Sequence, residues 1–174
     1  GGKGSRVREV ASRSGGKIIS VASMRVDRRM DIGTAKPCAA VRQAIGHYCL
    51  DLVEPSETFS VARYVEEADL AVERIRAAGA IPLAVGGTSL YVKALCEGLF
   101  DGPAADTALR ARLSQRAATE GAAALHAELA WRDPTAAQRI HPNDLRRIIR
   151  ALEVYDGAGR PISDLQRQWD VVRR

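Results

Sequence analysis

Three short stretches hold side chains whose types and spacing could bind or transform an anionic substrate. Gly1-Gly2-Lys3-Gly4 stands just ahead of an apolar-periodic segment, as the end of a phosphate-binding loop would. Such a loop turns glycine N–H groups toward phosphates, reaches the outer phosphate with a lysine and holds Mg2+ with a Ser or Thr. Gly4 occupies the hydroxyl position and the strand and first glycine of such a loop are missing, so a flexible tag fits the same residues. Gly86-Gly87-Thr88 lies between an apolar run and a helical pattern, where backbone donors and a hydroxyl converge above a sheet. A tight turn that needs glycine for backbone reasons alone reads the same. The third stretch, Met30 to Pro37 (MDIGTAKP), combines Asp31, Thr34 and Lys36, as an ordinary solvated loop also can.

Arginines pose a similar choice. Arg146 and Arg150 are one helical turn apart and could straddle neighbouring phosphates, or Arg150 could pair with a nearby acid. Arg110, Arg112 and Arg116 raise the same question. His47, His126 and His141 lack the mutual spacing of metal ligands, and no catalytic triad signature is present. Cys38, Cys49 and Cys96 are odd in number and far apart, which predicts buried thiols rather than a disulfide framework or a metal knuckle.

The elements that must position these groups follow from periodicity. Val7 to Ala11 begins a helix stopped at Gly15-Gly16, and Lys17 to Val21 reads as a short buried strand. A polar loop from Ala22 to Pro37 leads to a short helix near Ala39 to Ala44 and a second strand, His47 to Leu52. Ser60 to Ala78 is amphipathic, with Val61, Tyr64, Val65, Ala68, Ala71, Val72 and Ile75 on one face and a stop at Gly79. Ile81 to Val85 is a third strand, which Gly86-Gly87-Thr88 turns into a helix over Ser89 to Glu97. Buried strands alternating with helices predict a parallel α/β sheet covered on both faces. From Asp106 onward only helices are predicted: Thr107 to Thr119, Ala122 to Trp131, Pro134 to Arg139 behind an Asp133 N-cap, and Asn143 to Tyr155, with Ser163 capping a last short one. This shift divides the chain into a core over 1–100, a helical insertion over 101–145 and a helical return to the core over 146–174.

Composition bounds the function classes. The 174 residues are 46% hydrophobic and 27% charged, too apolar and too mixed in charge for a disordered chain. A net charge of +5, from 22 Arg and 4 Lys against 21 acids, suits an anionic partner, although a GC-rich coding sequence would also favour Arg. No apolar run approaches the roughly 20 residues that cross a bilayer and no signal peptide opens the chain, which predicts a cytoplasmic protein without a membrane role.

Five separated strings, in order, add a resemblance. Arg28 to Pro37 (RRMDIGTAKP), Tyr48 to Phe59 (YCLDLVEPSETF), Val85 to Tyr91 (VGGTSLY), Arg139 to Asp144 (RIHPND) and Arg150 to Val154 (RALEV) closely resemble the tRNA dimethylallyltransferases, also called tRNA isopentenyltransferases, and agreement runs from Gly2 to about Trp169. The resemblance implies a P-loop NTPase-like parallel sheet flanked by helices, with a helical insertion. It also implies transfer of a dimethylallyl group from dimethylallyl diphosphate to N6 of the adenosine 3′ of a tRNA anticodon, with Mg2+ on the diphosphate. By the same resemblance, Gly2 and Lys3 fall on the diphosphate-binding loop and Gly4 on its Mg2+-binding Ser/Thr. Thr88 falls on a hydroxyl facing the reacting groups, and Ser23, Met24 and Arg25 on a tRNA-contacting stretch. Arg110 falls near tRNA, and Arg146, Arg147, Ile148, Ile149 and Arg150 on a second tRNA-contacting segment. A monomer acting on a flipped base is implied.

Three positions depart from that pattern. Ala22 stands where the family has an Asp that acts as general base on the adenine amine; Gly4 replaces the Mg2+ ligand; Asp27 replaces a Tyr. Loss of a general base costs roughly 10²–10⁴-fold in rate, so weak or absent turnover is expected. The resemblance further implies that an opening strand, the first half of the loop and a C-terminal third are missing, which predicts an open seam in the sheet. Two alternatives stand beside this reading: an adenylate isopentenyltransferase acting on free nucleotide, against which the Arg-bearing helices argue, and a tRNA-binding remnant without catalysis.

Overall fold

In a computed structural model, which describes residues 3–100 and 102–167, Lys17–Val21 (β1) is the middle strand of a parallel sheet. Its last four residues are buried, as an apolar run covered on both faces requires. His47–Tyr48 (β2) pairs on one side through Ile18 with His47 and Ile19 with Tyr48. Pro82–Gly86 (β3) pairs on the other along all five residues, from Lys17 with Pro82 to Val21 with Gly86. The predicted open seam is therefore not found between these strands: direct pairing of β1 with β3 satisfies the backbone groups a gap would leave bare.

Alternation along β1 assigns the two layers. Ile18 packs with Ala11 of the helix Lys3–Ser14 (α1) and with Ile45, which follows the helix Ala39–Ala44 (α2). Ile19 and Val21 pack on the other face with Tyr64, Ala68, Ala71 and Ile75 of Val61–Ala77 (α3) and with Tyr91 of Ser89–Glu97 (α4). Gly15 takes φ +63°, a left-handed conformation that ends α1 at little steric cost.

The second predicted strand ends after Tyr48 rather than at Leu52. Cys49 and Asp51 adopt φ +58° and +53°, which no extended strand contains, and only an isolated parallel bridge between Asp27 and Val53 continues the pairing. The thiols also differ from expectation. Cys49 is buried, whereas Cys38 and Cys96 are exposed, Cys38 because it precedes α2 as its N-cap and Cys96 because it lies off the buried Tyr91 and Ala94 face of α4.

Gly86 is where the sheet approaches itself most closely. A Cβ built there lies 2.0 Å from the Val21 carbonyl oxygen, which also accepts the N–H groups of Gly87 (3.0 Å) and Thr88 (3.1 Å). Gly86→Ala must separate β3 from β1 or break that clamp, and it is expected to cost about 2 kcal/mol in urea unfolding. Gly87→Ala, whose Cβ meets nothing within 4 Å, should stay within about 0.5 kcal/mol.

The chain divides into two compact units, Gly1–Gly98 and Leu99–Arg174. The second is built of Thr107–Glu120 (α5), Ala122–Arg132 (α6), Pro134–Arg139 (α7), Leu145–Ala158 (α8) and Ile162–Leu165 (α9). Leu109, Leu113, Leu125, Leu129, Ile148 and Leu152 form the centre of its core. Acid N-caps set the boundaries: Asp106 accepts from Leu109 N–H (2.9 Å), Asp133 from Ala136 N–H (2.9 Å) and Asp144 from Arg147 N–H (3.2 Å). The Asp144 cap moves the start of α8 two residues past the predicted Asn143. Ser163 does not cap α9, which begins behind Pro161; its hydroxyl (2.7 Å) and N–H (2.9 Å) both donate to the buried Asp133, tying α9 to the start of α7.

Candidate functional site

β1 and β3 run parallel, so their C-terminal ends emerge side by side, and parallel α/β sheets bind ligands at that edge. The chain leaves β1 through Ala22 into a 3-10 turn, Ser23–Arg25, and leaves β3 through Gly87-Thr88 into α4. The two exits touch. Ser23 N–H donates to Thr88 Oγ1 at 3.0 Å, and Thr88 Oγ1 donates to Ser23 Oγ at 3.3 Å. Thr88 therefore does not cap α4 with its side chain, although it holds the N-cap position. Ala22, with φ −137° and ψ 110°, is the N-cap of the 3-10 turn and has no side-chain oxygen to offer there.

The base of α4 is fixed from below. Tyr91 stacks on Tyr64 with ring centroids 3.8 Å apart and planes at 12°, and Tyr64 Oη donates to the Ser20 carbonyl at 3.0 Å. Burial raises the pKa of both phenols above the ordinary tyrosine value, so they remain neutral and act as packing. Burial likewise pushes the Cys49 thiol up to about 12, which excludes it as a nucleophile near neutral pH.

The loop between the 3-10 turn and α2 is ordered by charge. Lys36 Nζ, whose side chain is 1% exposed, donates to Asp51 Oδ1 (2.6 Å) and to the Asp27 carbonyl, and Arg42 donates to Asp51 Oδ2 (2.5 Å). Asp31 lies 3.6 Å from Lys36 and 3.7 Å from Arg42. Arg25 Nε donates to the Thr34 carbonyl (3.1 Å) and the Thr34 hydroxyl donates to the Met30 carbonyl. The MDIGTAKP string is thus a structured loop pinned at Asp51. Burial works to raise the Asp51 pKa, but hydrogen bonds from Lys36 and Arg42 outweigh it and hold the carboxyl below its usual range. Asp51→Asn leaves a buried ammonium short of its counter-charge, and should cost about 1–2 kcal/mol at neutral pH and speed proteolysis within 26–37. The difference from the wild type should shrink as pH falls through the folded Asp51 value, because a lowered carboxylate contributes its stability only above that range.

In the helical unit, arginines converge on one buried acid. Glu153, 1% exposed, accepts a two-pronged pair from Arg110 (2.8 Å and 2.8 Å), a bond from Arg150 (2.6 Å) and the Asp106 N–H (2.7 Å). Arg150 also donates to the Pro103 carbonyl at 3.1 Å. Arg110 and Arg150 keep side-chain exposures of 43% and 32%. Arg147 is exposed and, among the described residues, pairs only with Asp144 (3.4 Å), and Arg146 is exposed beside it. Ile148 and Ile149, by contrast, point into the core of this unit, because their positions on α8 share the face of Leu152, so their side chains serve packing.

The remaining sequence-derived positions distribute as follows. Met24 is exposed and Arg25 half-buried in the turn beside Ser23. Gly2 lies outside the described residues, and Lys3 and Gly4 are described only as the backbone that opens α1. Gly4 supplies no side-chain ligand for a metal, and among the described residues no cluster of three or more His, Cys, Asp or Glu side chains is found. Two organising acids, Asp51 and Glu153, are absent from the sequence-derived site. Their signal was an acid set inside an apolar run, Leu50-Asp51-Leu52-Val53 and Ala151-Leu152-Glu153-Val154, where an unpaired carboxylate would be costly.

Known proteins of one family resemble this chain over most of its length. A family model described as IPP transferase matches residues 26–173. A tRNA dimethylallyltransferase of Halorhodospira halophila is 46% identical over 167 residues, covering 96% of this chain and 54% of the relative. One from Paracidovorax citrulli is 53% identical over 147 residues, covering 84% and 42%. The chain thus spans about half the length of the curated relatives it matches. Among solved structures, the full-length tRNA isopentenylpyrophosphate transferase of Bacillus halodurans aligns with TM-score 0.56 at 42% identity over 92% of this chain and 53% of that one. A eukaryotic dimethylallyltransferase acting on tRNA aligns with TM-score 0.72 at 29% identity, over 94% and 40%.

Proposed function

This chain belongs to the IPP transferase family and shares the P-loop NTPase-like fold of its solved relatives, and from that membership we propose that the whole protein transfers a dimethylallyl group from dimethylallyl diphosphate to N6 of the adenosine just 3′ of a tRNA anticodon. The observation that carries the reading is the junction of Ser23 with Thr88, which joins the turn after β1 to the VGGTSLY string at the C-terminal edge of the sheet. In the reaction N6 attacks the first carbon of the prenyl group, the bond from that carbon to the diphosphate oxygen breaks and diphosphate leaves, and the N6 proton passes to solvent because Ala22 offers no acceptor. Lys3, at the start of α1, is the residue for the diphosphate. The Thr88 and Ser23 hydroxyls orient the reacting groups, and Met24 and Arg25 extend the contact to tRNA. Arg146 and Arg147 offer the exposed cationic face for the RNA backbone, with Arg110 and Arg150 behind it. Mg2+ would neutralise the diphosphate, but Gly4 contributes no side-chain ligand to it. A monomer in the cytoplasm suffices for this chemistry.

Ala22 favours a second reading, that this chain binds tRNA with little or no transfer, since the position of the proton acceptor is a methyl group. The test is to give the purified chain an anticodon stem-loop and labelled dimethylallyl diphosphate, with AMP as a rival acceptor and a complete family member as reference. Salt-dependent stem-loop binding and transfer far below the reference are expected. Transfer equal to the reference refutes the weak-turnover reading, and faster prenylation of AMP than of the stem-loop refutes the tRNA reading.

A further inference from the structure

On the α1 side of the sheet, a cleft of about 210 Å³ lies between α1, β1 and the loop that carries Lys36. Arg8, Ser20, Arg25, Lys36 and His47 supply its polar lining, and among the described residues no carboxylate lines it. Lys36 is already spent on Asp51, and Arg25 uses its Nε on the Thr34 carbonyl, which among the described residues leaves the outer guanidinium nitrogens of Arg25 and the whole head of Arg8. The electrostatic character of the cleft shows in His47. Its burial lowers its pKa, its Nδ1 bond to the Ile45 carbonyl (2.6 Å) works the other way, and the positive charges of Arg42, Arg25 and Arg8 lower it further.

The decisive atom is Ser20 Oγ. Ser20 is 1% exposed, and among the described residues its hydroxyl has no hydrogen-bond partner, whereas buried hydroxyls in proteins are ordinarily paired. A donor left bare at the bottom of a cleft whose lining charges are all positive is matched by an acceptor that carries negative charge. The volume falls below the roughly 300–1,000 Å³ typical of sites for drug-sized ligands, so the group is small. We infer that this cleft binds a small free oxyanion of the phosphate class, held by the Ser20 hydroxyl and the Arg8 and Arg25 guanidinium groups. Arg8 lies more than one helical turn beyond Lys3 on α1, which separates this cleft from the diphosphate role proposed for Lys3. The inference does not depend on the prenyl-transfer reading.

The test is a thermal-shift and calorimetric titration of the full chain with inorganic phosphate and with diphosphate. Both should bind saturably and raise the unfolding midpoint, because a ligand that binds only the folded state stabilises it by mass action. Arg8→Glu should weaken binding at least about tenfold and Ser20→Ala several-fold, with unchanged circular dichroism, while Lys3→Ala should leave the affinity of phosphate as it was. Absence of saturable binding overturns the inference. So does binding that Lys3→Ala abolishes and Arg8→Glu spares, which would put the anion at the start of α1. A stem-loop titration run in parallel reads the tRNA proposal separately, so either can fail alone.

Discussion

Ala22→Asp is expected to raise dimethylallyl transfer to an anticodon stem-loop by about 10²–10⁴-fold over the unsubstituted chain, the range a positioned general base contributes. The backbone is ready for the change. Ala22 is extended at the N-cap of the 3-10 turn, a position that favours aspartate in helices generally, and its neighbour Ser23 is already joined to Thr88. A carboxylate there stands one residue from the hydroxyl pair proposed to orient the reacting groups. Ala22→Asn keeps the shape and the capping capacity but cannot take a proton, so it should leave the rate near its starting value while matching Ala22→Asp in stability. A rate in the aspartate variant that rises with pH through the carboxylate range and then levels would identify the added group as the base. If aspartate and asparagine behave alike, the proton is taken elsewhere and the role proposed for this position is lost.

The parts of this protein legible from sequence are those with a repeated local signal. The 3.6-residue apolar period of α3 and the Asp133 N-cap of α7 set those helices to within a residue, and the three apolar runs located β1, the start of β2, and β3. Periodicity fails where long-range polar contacts decide the backbone. The left-handed Cys49 and Asp51, which end β2, bring an acid to Lys36 and Arg42 from elements distant in sequence, and no window of neighbouring residues encodes that meeting. The same holds for the site. Thr88 and Ser23 could be singled out separately by resemblance, but their contact spans 65 residues and depends on the parallel register of β1 with β3. Arg150 with Glu153 was the readable kind of pair, three apart on one helix, whereas Arg110 reaches the same acid from 43 residues away. A local reading therefore sees solvated arginines where the fold gathers them around a buried carboxylate.

That cluster carries the second large effect. Glu153→Gln should destabilise the helical unit by about 3 kcal/mol at pH 7, the lower part of the cost of breaking a buried ion pair, because Arg110 and Arg150 are partly exposed and can turn to water once released. Hydrogen exchange of the α8 amides from Ile148 to Val154, which lie in the core, reads this directly. The pH dependence fixes the cause. Burial alone would raise the Glu153 pKa, yet hydrogen bonds from Arg110, Arg150 and the Asp106 N–H more than offset it and hold the value below that of an ordinary glutamate. A carboxylate lowered on folding contributes its full stability above its unfolded pKa of about 4.3 and loses it as pH falls through the folded value. The gap between wild type and Glu153→Gln should therefore be widest at neutral pH, begin to narrow as pH falls past the unfolded value, and close only once pH has fallen below the lowered folded value. Arg147→Ala, which removes an exposed pair on the same helix, should change little at any pH. An equal exchange rate for wild type and Glu153→Gln at pH 7 would mean that the arginines are held by their own packing. In that case Arg110 and Arg150 would be free to give their full charge to an RNA backbone, whereas a Glu153 that holds them makes any phosphate compete with a buried carboxylate for the same forks.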